Sequence, residues 1–513
     1  MIRMDKHSTY FIVFIAIVIS TLFTLIAMQR GDAINPDGIL YLRTAQAFLD
    51  EGFHAAMQIY GWPFYAIIIA SISQFLHVSL IQSAQFLNFI LQGIMVVAFI
   101  LLIKEVGGGR REQWAAAILF LIFPIINHDR VWFIRDFGYW AFFLIAIWQL
   151  IRFSHTRKWL NALVWGCAMA IATTFRIEGT IIWLLTPLAL LVTDSPSQGI
   201  SSRLIALIKS YSVIFVIGIV AVAWWAFHPN LSIQSSGRLV ELLNELHSGV
   251  MVTLSSFHEN ASFLAAAILN ANSYDNASTI LVGGLIAVFI VAFIKTLTFF
   301  FMFLFGYAVV NQLLPASKTV KAILVTCMMI NVLVITLFVF QQQFVDGRYI
   351  VPLCLLFLCW TPFGLTGLYN KWLMPSRDWA SKKWVFPLVC SLMFVMVSPA
   401  FVQYGSSKAY LVQAGQWINN NLPENTTLYT NSKEVLFYAK RSGTDWNKDF
   451  PLFENSFRRI DDHSWNQLDY LAFRFGHDEK WLEQHINDVI KLDPLLTFAN
   501  KRGDKVVIYK VPH

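Results

Sequence analysis

The chain has 513 residues, of which 57% are hydrophobic and only 13% charged, and its mean hydropathy is +0.56. Soluble domains carry about 25% charged residues, so the composition excludes that class and places the chain in a membrane. The formal net charge of +7 does not indicate nucleic acid as a partner, because topology distributes it.

Apolar runs of roughly 17–25 residues read as transmembrane helices. Such runs, some a little short, fall near 10–28, 80–103, 113–127, 137–151, 160–175, 180–193, 210–227, 278–311, 322–340, 350–369 and 384–403. They predict a polytopic all-α membrane protein with about 11 transmembrane helices. The first run is too long for the apolar core of a signal peptide and lacks a small-residue cleavage site. Residues 278–311 could hold two short helices with Lys295 between them. Two spans would reverse everything downstream and put Lys371 and Lys383 outside, so one long or broken element is expected, with Lys295 at the break or snorkelling.

Lys and Arg gather at the cytoplasmic ends of spans. With the N-terminus inside, the inner ends hold Arg3, Lys6, Lys104, Arg110, Arg111, Arg152, Arg157, Lys158, Arg203, Lys209, Lys318, Lys321, Lys371, Arg377, Lys382 and Lys383. The outer loops ahead of the tail hold Arg30, Arg43, Arg130, Arg135, Arg176, Arg238 and Arg348, which is sixteen against seven. All seven outer cations are arginines. Arginine is the better fork for phosphate or carboxylate, although chance and interfacial anchoring explain the bias equally well. The five cysteines, Cys167, Cys327, Cys354, Cys359 and Cys390, fall in apolar runs and read as packing residues, with no disulfide framework.

Three outer regions are large enough to fold. Residues 29–79 hold Asp37, an amphipathic stretch Tyr41–Phe53, and an apolar run 64–78 that reads as an interfacial helix. Residues 228–277 are a polar, helix-containing loop. Residues 404–513 form a small C-terminal α/β extracytoplasmic domain, set against a membrane domain over 1–403. In it Ala409–Asn420 has helical spacing, Thr427–Thr430 reads as a strand, and Phe498–Val511 reads as a hairpin turning at Arg502-Gly503-Asp504. There is no internal repeat of the transporter kind.

The polar candidates lie at the outer ends of spans, while span interiors hold almost no ionisable group except Lys295. Ion-coupled transporters place carboxylates near the midplane, so this pattern points to a site at the outer surface. Asp37 suits a general base or an N-cap for Gly38–Leu49. Asp136 suits an acceptor-orienting group, a metal ligand, or a cap of the fourth span. Arg348 suits a phosphate, or a pair with Asp346, and Glu178 suits an acceptor-orienting role or a pair with Arg176. His128 and Asp129 offer two metal ligands, which is a weak set. On the residues alone these alternatives stay open.

The motif order resembles the GT-C superfamily of membrane glycosyltransferases, in particular protein O-mannosyltransferases and lipid A aminoarabinose transferases, over most of the chain. Asn35-Pro36-Asp37 followed by Gly61-Trp62-Pro63 resembles that superfamily's first outer loop, and Arg135-Asp136 its second acidic position. Thr174-Phe-Arg-Ile-Glu-Gly179 is similar to its Arg/Lys-x-Glu-Gly turn, and Asp346-Gly-Arg-Tyr-Ile-Val-Pro352 to its Arg-Tyr-x-x-Pro motif. Gly415 to Pro423, Leu436-Phe-Tyr438 and Arg441-Ser-Gly443 resemble the start of its outer C-terminal domain. Two features depart from the protein mannosyltransferases: Gly38 replaces the Glu of their Asp-Glu pair, and no soluble module is inserted between spans seven and eight.

The resemblance implies sugar transfer, with inversion, from a polyprenyl-phosphate donor to a glycan, lipid or protein acceptor at the outer face of a bacterial inner membrane. It implies Asp37 as base and Asp136 as a second catalytic acid. Arg348, Tyr349, Arg176 and Arg135 would bind the donor phosphate, and Glu178, His128 and Asp129 would orient the acceptor. A divalent metal ion at Asp37 and Asp136 stays open as a cofactor. The alternatives are a lipid-linked oligosaccharide polymerase or ligase, and a lipid-sugar flippase or transporter.

Overall fold

A computed structural model describes residues 2–29, 33–192, 199–227, 249–374, 382–402, 407–441 and 464–512. Arg30, Arg238, Arg377, the 228–248 part of the outer loop and the Ser442-Gly443 end of the last motif lie outside the described residues. The chain divides into two compact units. The first comprises Met1–Thr24, Phe86–Arg130 and Arg135–Ala400; the second comprises Leu25–Gln85, Val131–Ile134 and Phe401–His513.

The first unit is helical and apolar, as expected for an integral membrane protein. Five expected spans are single helices of crossing length: Ser8–Met28, Leu80–Glu105, Asp136–Thr156, Ala271–Val310 and Lys318–Gln342. Two more are bent pairs, Ile200–Ser210 with Ser212–Ala223 at 50° and Gly347–Leu358 with Thr361–Leu373 at 45°. Pro362, at the second position of the last helix, has no N–H to continue the preceding ladder, which accounts for that bend. The remaining four runs are shorter helices, Arg110–Leu121, Trp159–Phe175, Gly179–Leu191 and Val385–Ala400. The long run is one helix, Ala277–Val310, kinked at Thr298, where φ is +63°. That left-handed value is strained for a β-branched residue, and it falls three positions beyond Lys295. The five cysteines are free.

The second unit contains the helices Pro36–Glu51, Phe53–Ile59 and Phe64–Leu76 and the C-terminal fold. At 13 residues, Phe64–Leu76 is too short to cross a bilayer. Its α/β part is a four-stranded sheet of β1 (Leu428–Thr430), β2 (Tyr470–Phe475), β3 (Pro494–Ala499) and β4 (Lys505–Lys510), ordered β1-β2-β4-β3. β1 runs parallel to β2, and the other pairs are antiparallel.

Alternate residues of β2 and β4 serve two cores. Leu471, Phe473, Val507 and Tyr509 pack with Leu482, Ile486 and Ile490 of the helix Lys480–Ile490. Ala472, Val506 and Ile508 pack with Leu411, Ala414 and Ile418 of Ala409–Asn421. The β3–β4 turn closes on Asn500, whose Oδ1 accepts the backbone N–H groups of Arg502, Gly503 and Asp504 at 2.9, 3.1 and 3.0 Å. Gly503 supplies the positive φ of 101° there. Within this unit Ile34 N donates to Tyr438 Oη at 3.1 Å, tying the outer loop to the Leu436-Phe-Tyr438 motif.

Candidate functional site

Several of the candidates meet around one guanidinium in the first unit. Arg176 follows the helix Trp159–Phe175 and takes an extended backbone, φ −142°. Its side chain thereby turns back toward Asp136, the first residue of the helix Asp136–Thr156. Arg176 Nη1 donates to Asp136 Oδ1 at 2.6 Å, and Nη2 donates to Glu178 Oε1 at 3.2 Å. Both members of the first pair are buried, Arg176 at 7% and Asp136 at 3% exposure. Asp136 also sits in the first turn of its helix.

Two tyrosines flank the same guanidinium. Its central carbon lies 4.5 Å from the Tyr349 ring centroid and 6.0 Å from that of Tyr139, within cation–π range. Arg348 lies 5.2 Å from the Tyr349 ring on its own account, so two arginines share one aromatic ring. Asp346 caps the helix Gly347–Leu358 by accepting Arg348 N at 3.0 Å. Its ion pair with Arg348 Nε is long, 3.9 Å. Gly347 permits a close approach here, since a Cβ would fall 2.9 Å from Thr296 Oγ1.

Glu178 is in the turn between helices. Burial pushes its carboxyl up, but Arg176 and then Arg135 outweigh burial and hold it at about 2. It is therefore an anion at neutral pH, and its Oε2 is buried without a hydrogen-bond partner. Asp129 is shifted the other way: burial raises it, against the His128 imidazole 2.7 Å away, and the charges of Asp346 and Asp136 raise it further. The His128–Asp129 pair therefore lies within electrostatic reach of the Arg176 cluster. Among the described residues no three His, Cys, Asp or Glu side chains group as metal ligands, so the residues present do not build a three-ligand site.

Three readings that the residues alone left open are narrowed. Asp37 is not the N-cap. The helix Pro36–Glu51 starts one residue earlier, with Pro36 in its first turn and Asn35 at the cap position. Asn35 itself makes no capping bond, because its amide grips Phe133, accepting from Phe133 N at 2.9 Å and donating to Phe133 O at 3.4 Å. Asp37 is left half-buried in the first turn of its helix, in the second unit. Nor does Asp136 cap its helix, since its carboxylate goes to Arg176.

The third concerns one of the outer arginines, Arg130, as an anion fork. Arg130 is 2% exposed and saturated with neutral acceptors. Nη1 reaches Ser20 O, Ser20 Oγ and Thr24 Oγ1 at 3.1 Å and Gln92 Oε1 at 2.8 Å, while Nε and Nη2 reach Asn127 Oδ1. It ties helices together.

Tyr139 carries no motif of its own in the sequence. Its spacing of three from Asp136 on one helix was the available signal, because such residues share a face. Gly38 is explained by space: a Cβ there would lie 2.8 Å from Asn35 Oδ1 and 3.0 Å from Phe133 Cβ. An Asp-Glu pair has no room in this loop.

No protein-family model matches the chain, and no curated protein matches it in sequence. The structure is similar to that of ArnT from Cupriavidus metallidurans bound to undecaprenyl phosphate, with a TM-score of 0.51 and 10% identity over 97% of each chain. A weaker likeness, TM-score 0.46 at 13% identity, is to the mycobacterial arabinofuranosyltransferase AftD, covering 98% of this chain and 41% of that one. The first likeness shows that the chain shares the fold of that ArnT structure along nearly its whole length.

Proposed function

We propose that this GT-C-fold chain is a membrane glycosyltransferase that moves a sugar from a polyprenyl-phosphate donor to a glycan, lipid or protein acceptor. Its N-terminus would be cytoplasmic, and its active site and C-terminal domain periplasmic, in a bacterial inner membrane. The observation that carries this reading is the Arg176 cluster. Four segments far apart in sequence, at 136–139, 176–178, 348–349 and 128–129, converge on one charged centre in a unit otherwise built of apolar helices. The similar ArnT structure is bound to undecaprenyl phosphate, which supports the donor class.

The step is an inverting displacement. The acceptor oxygen attacks the anomeric carbon, the bond from that carbon to the phosphate oxygen breaks, the acceptor proton goes to Asp37, and polyprenyl phosphate departs. Charge develops on the leaving phosphate, where fixed cations stabilise it most. Arg176 is already neutralised by Asp136 and Glu178. Arg348, whose pair with Asp346 is long at 3.9 Å, is the better phosphate ligand, together with Arg135, whose charge also reaches Glu178. Arg176 then acts by holding Tyr349 and Asp136 in place. Asp136 and the open oxygen of Glu178 orient hydroxyl groups, assisted by His128 and Asp129. No step runs through a metal.

The test is mass spectrometry of lipid A, envelope glycans and surface proteins from wild-type, deletion and Asp37→Asn strains. A glycan modification lost on deletion and not restored by a normally inserted Asp37→Asn protein is the expected result. Full restoration by that variant would remove Asp37 as the base. A deletion that leaves every glycan intact would remove the transferase reading.

A further inference from the structure

An open cavity of 540 Å³ lies among four helices of the first unit, lined by Ile17, Gly93, Ile145, Val164 and Trp148, with Gln149 as its one carboxamide. The helix Asp136–Thr156, which supplies Ile145, Trp148 and Gln149 to the lining, carries Arg152 just beyond them. Water cannot fill an apolar groove within hydrocarbon, so a lipid chain must. A plain hydrocarbon chain leaves one group unmet. Gln149 is 7% exposed and lines the groove, where a hydrocarbon chain would offer its amide no hydrogen-bond partner. Burying an amide without a partner is costly.

Charge at the rim identifies the occupant. The Arg152 guanidinium lies 6.0 Å from the ring centroid of Trp148, and among the described residues no carboxylate pairs with it. Arg152 is three residues beyond Gln149 on one helix, so a headgroup phosphate at Arg152 stands about 4.5 Å along the axis from the amide. A glycerophospholipid carries its ester carbonyls just below its phosphate, at that depth. A polyprenyl phosphate carries only hydrocarbon there.

We propose that the groove seats one glycerophospholipid, with its phosphate at Arg152, an ester carbonyl accepting from the Gln149 amide, and an acyl chain along Gly93, Ile17 and Ile145. This site is independent of the transferase reading and serves a lipid other than the donor.

The test is native mass spectrometry of the full chain in detergent, titrated with phosphatidylglycerol. Wild-type protein should retain one lipid. Gly93→Leu fills open space, since a Cβ there meets nothing within 4 Å, and should weaken retention about tenfold or more. Gln149→Leu, a near-isosteric change, should weaken it similarly and reads the site even if Gly93→Leu misfolds. An ether-linked phosphatidylglycerol, which has no ester carbonyl, should bind wild type more weakly than the ester lipid and bind Gln149→Leu no differently from it. Equal retention by wild type and Gln149→Leu, no preference of wild type for the ester, or displacement of phosphatidylglycerol by undecaprenyl phosphate would each overturn the proposal.

Discussion

The ring of Phe175 occupies the space that a side chain at residue 138 would need: a Cβ on Gly138 would lie 2.2 Å from Phe175 Cε1. That contact lets the end of one helix close on the start of another, and the next residue, Arg176, then reaches Asp136. Gly138→Ala forces the ring and the arginine apart. Overpacking of this kind costs about 1–3 kcal/mol. We expect a modest fall in thermal stability and a much larger fall in transfer, read by melting in detergent and by glycan mass spectrometry.

Removing Arg176 exposes what it neutralises. Arg176→Met leaves the Asp136 carboxylate buried and uncompensated, which costs about 3–5 kcal/mol. Arg176→Met with Asp136→Leu removes both charges, and much of the stability should return. A double-mutant cycle by denaturant unfolding measures the coupling; additive losses would show that the 2.6 Å pair contributes little.

Two acids in the site carry opposite signs. Glu178 is held at about 2, below its ordinary 4.5. Its contribution is present above about pH 4.5 and is lost as pH falls through about 2. Each unit is about 1.4 kcal/mol, and about a third of the side chain is open to solvent, so Glu178→Gln should cost roughly 1–2 kcal/mol at neutral pH. Asp129 is raised above 3.8 by burial, so any stability it contributes belongs to low pH and is lost as pH rises through its folded value. Asp129→Asn should therefore raise the melting temperature at pH 7, with the gain shrinking toward about pH 4. Melting curves of both variants across that range check both signs.

Arg348 and Arg130 should separate function from stability. Arg348→Ala removes a long ion pair worth about 0–1 kcal/mol, but it should lower transfer by about 10²–10³-fold, as loss of a transition-state charge donor does. Arg130→Met strands several buried acceptors at about 1–3 kcal/mol each. It should reduce the amount of folded protein while the survivors keep normal turnover, measured as activity per folded molecule.

The outer loop does not tolerate the Asp-Glu pair of the protein mannosyltransferases. Gly38→Glu must displace Asn35 from Phe133, so it should destabilise the protein and abolish transfer. A stable, active Gly38→Glu variant would show that the loop has more room than its 2.8 Å approach allows.

What the sequence made legible was local. Alternation in Lys505 to Lys510 and the turn glycine Gly503 marked the last hairpin, and the spacing of Leu411, Ala414 and Ile418 marked the helix that packs beneath it. The kink at Thr298 has no proline or glycine to announce it. The cap alternative for Asp37 fails because Pro36 suits a helical first turn better than it suits a breaker, which puts the helix start one residue earlier. Asp136, Arg176 and Tyr349 each stood in a visible motif, but their meeting depends on Gly138 yielding to Phe175, which no periodicity encodes. Arg130 looked like its fellow outer arginines because its acceptors, Ser20, Thr24 and Gln92, are far away in the chain.

Those same acceptors impose an order in time. An arginine in hydrocarbon is expensive until its donors are met, and Arg130 needs groups from the first span, the second span and the short helix before it. The nascent chain can therefore withdraw Arg130 from water only after the two leading spans stand side by side. Its burial is thus tied to the pairing of those two spans.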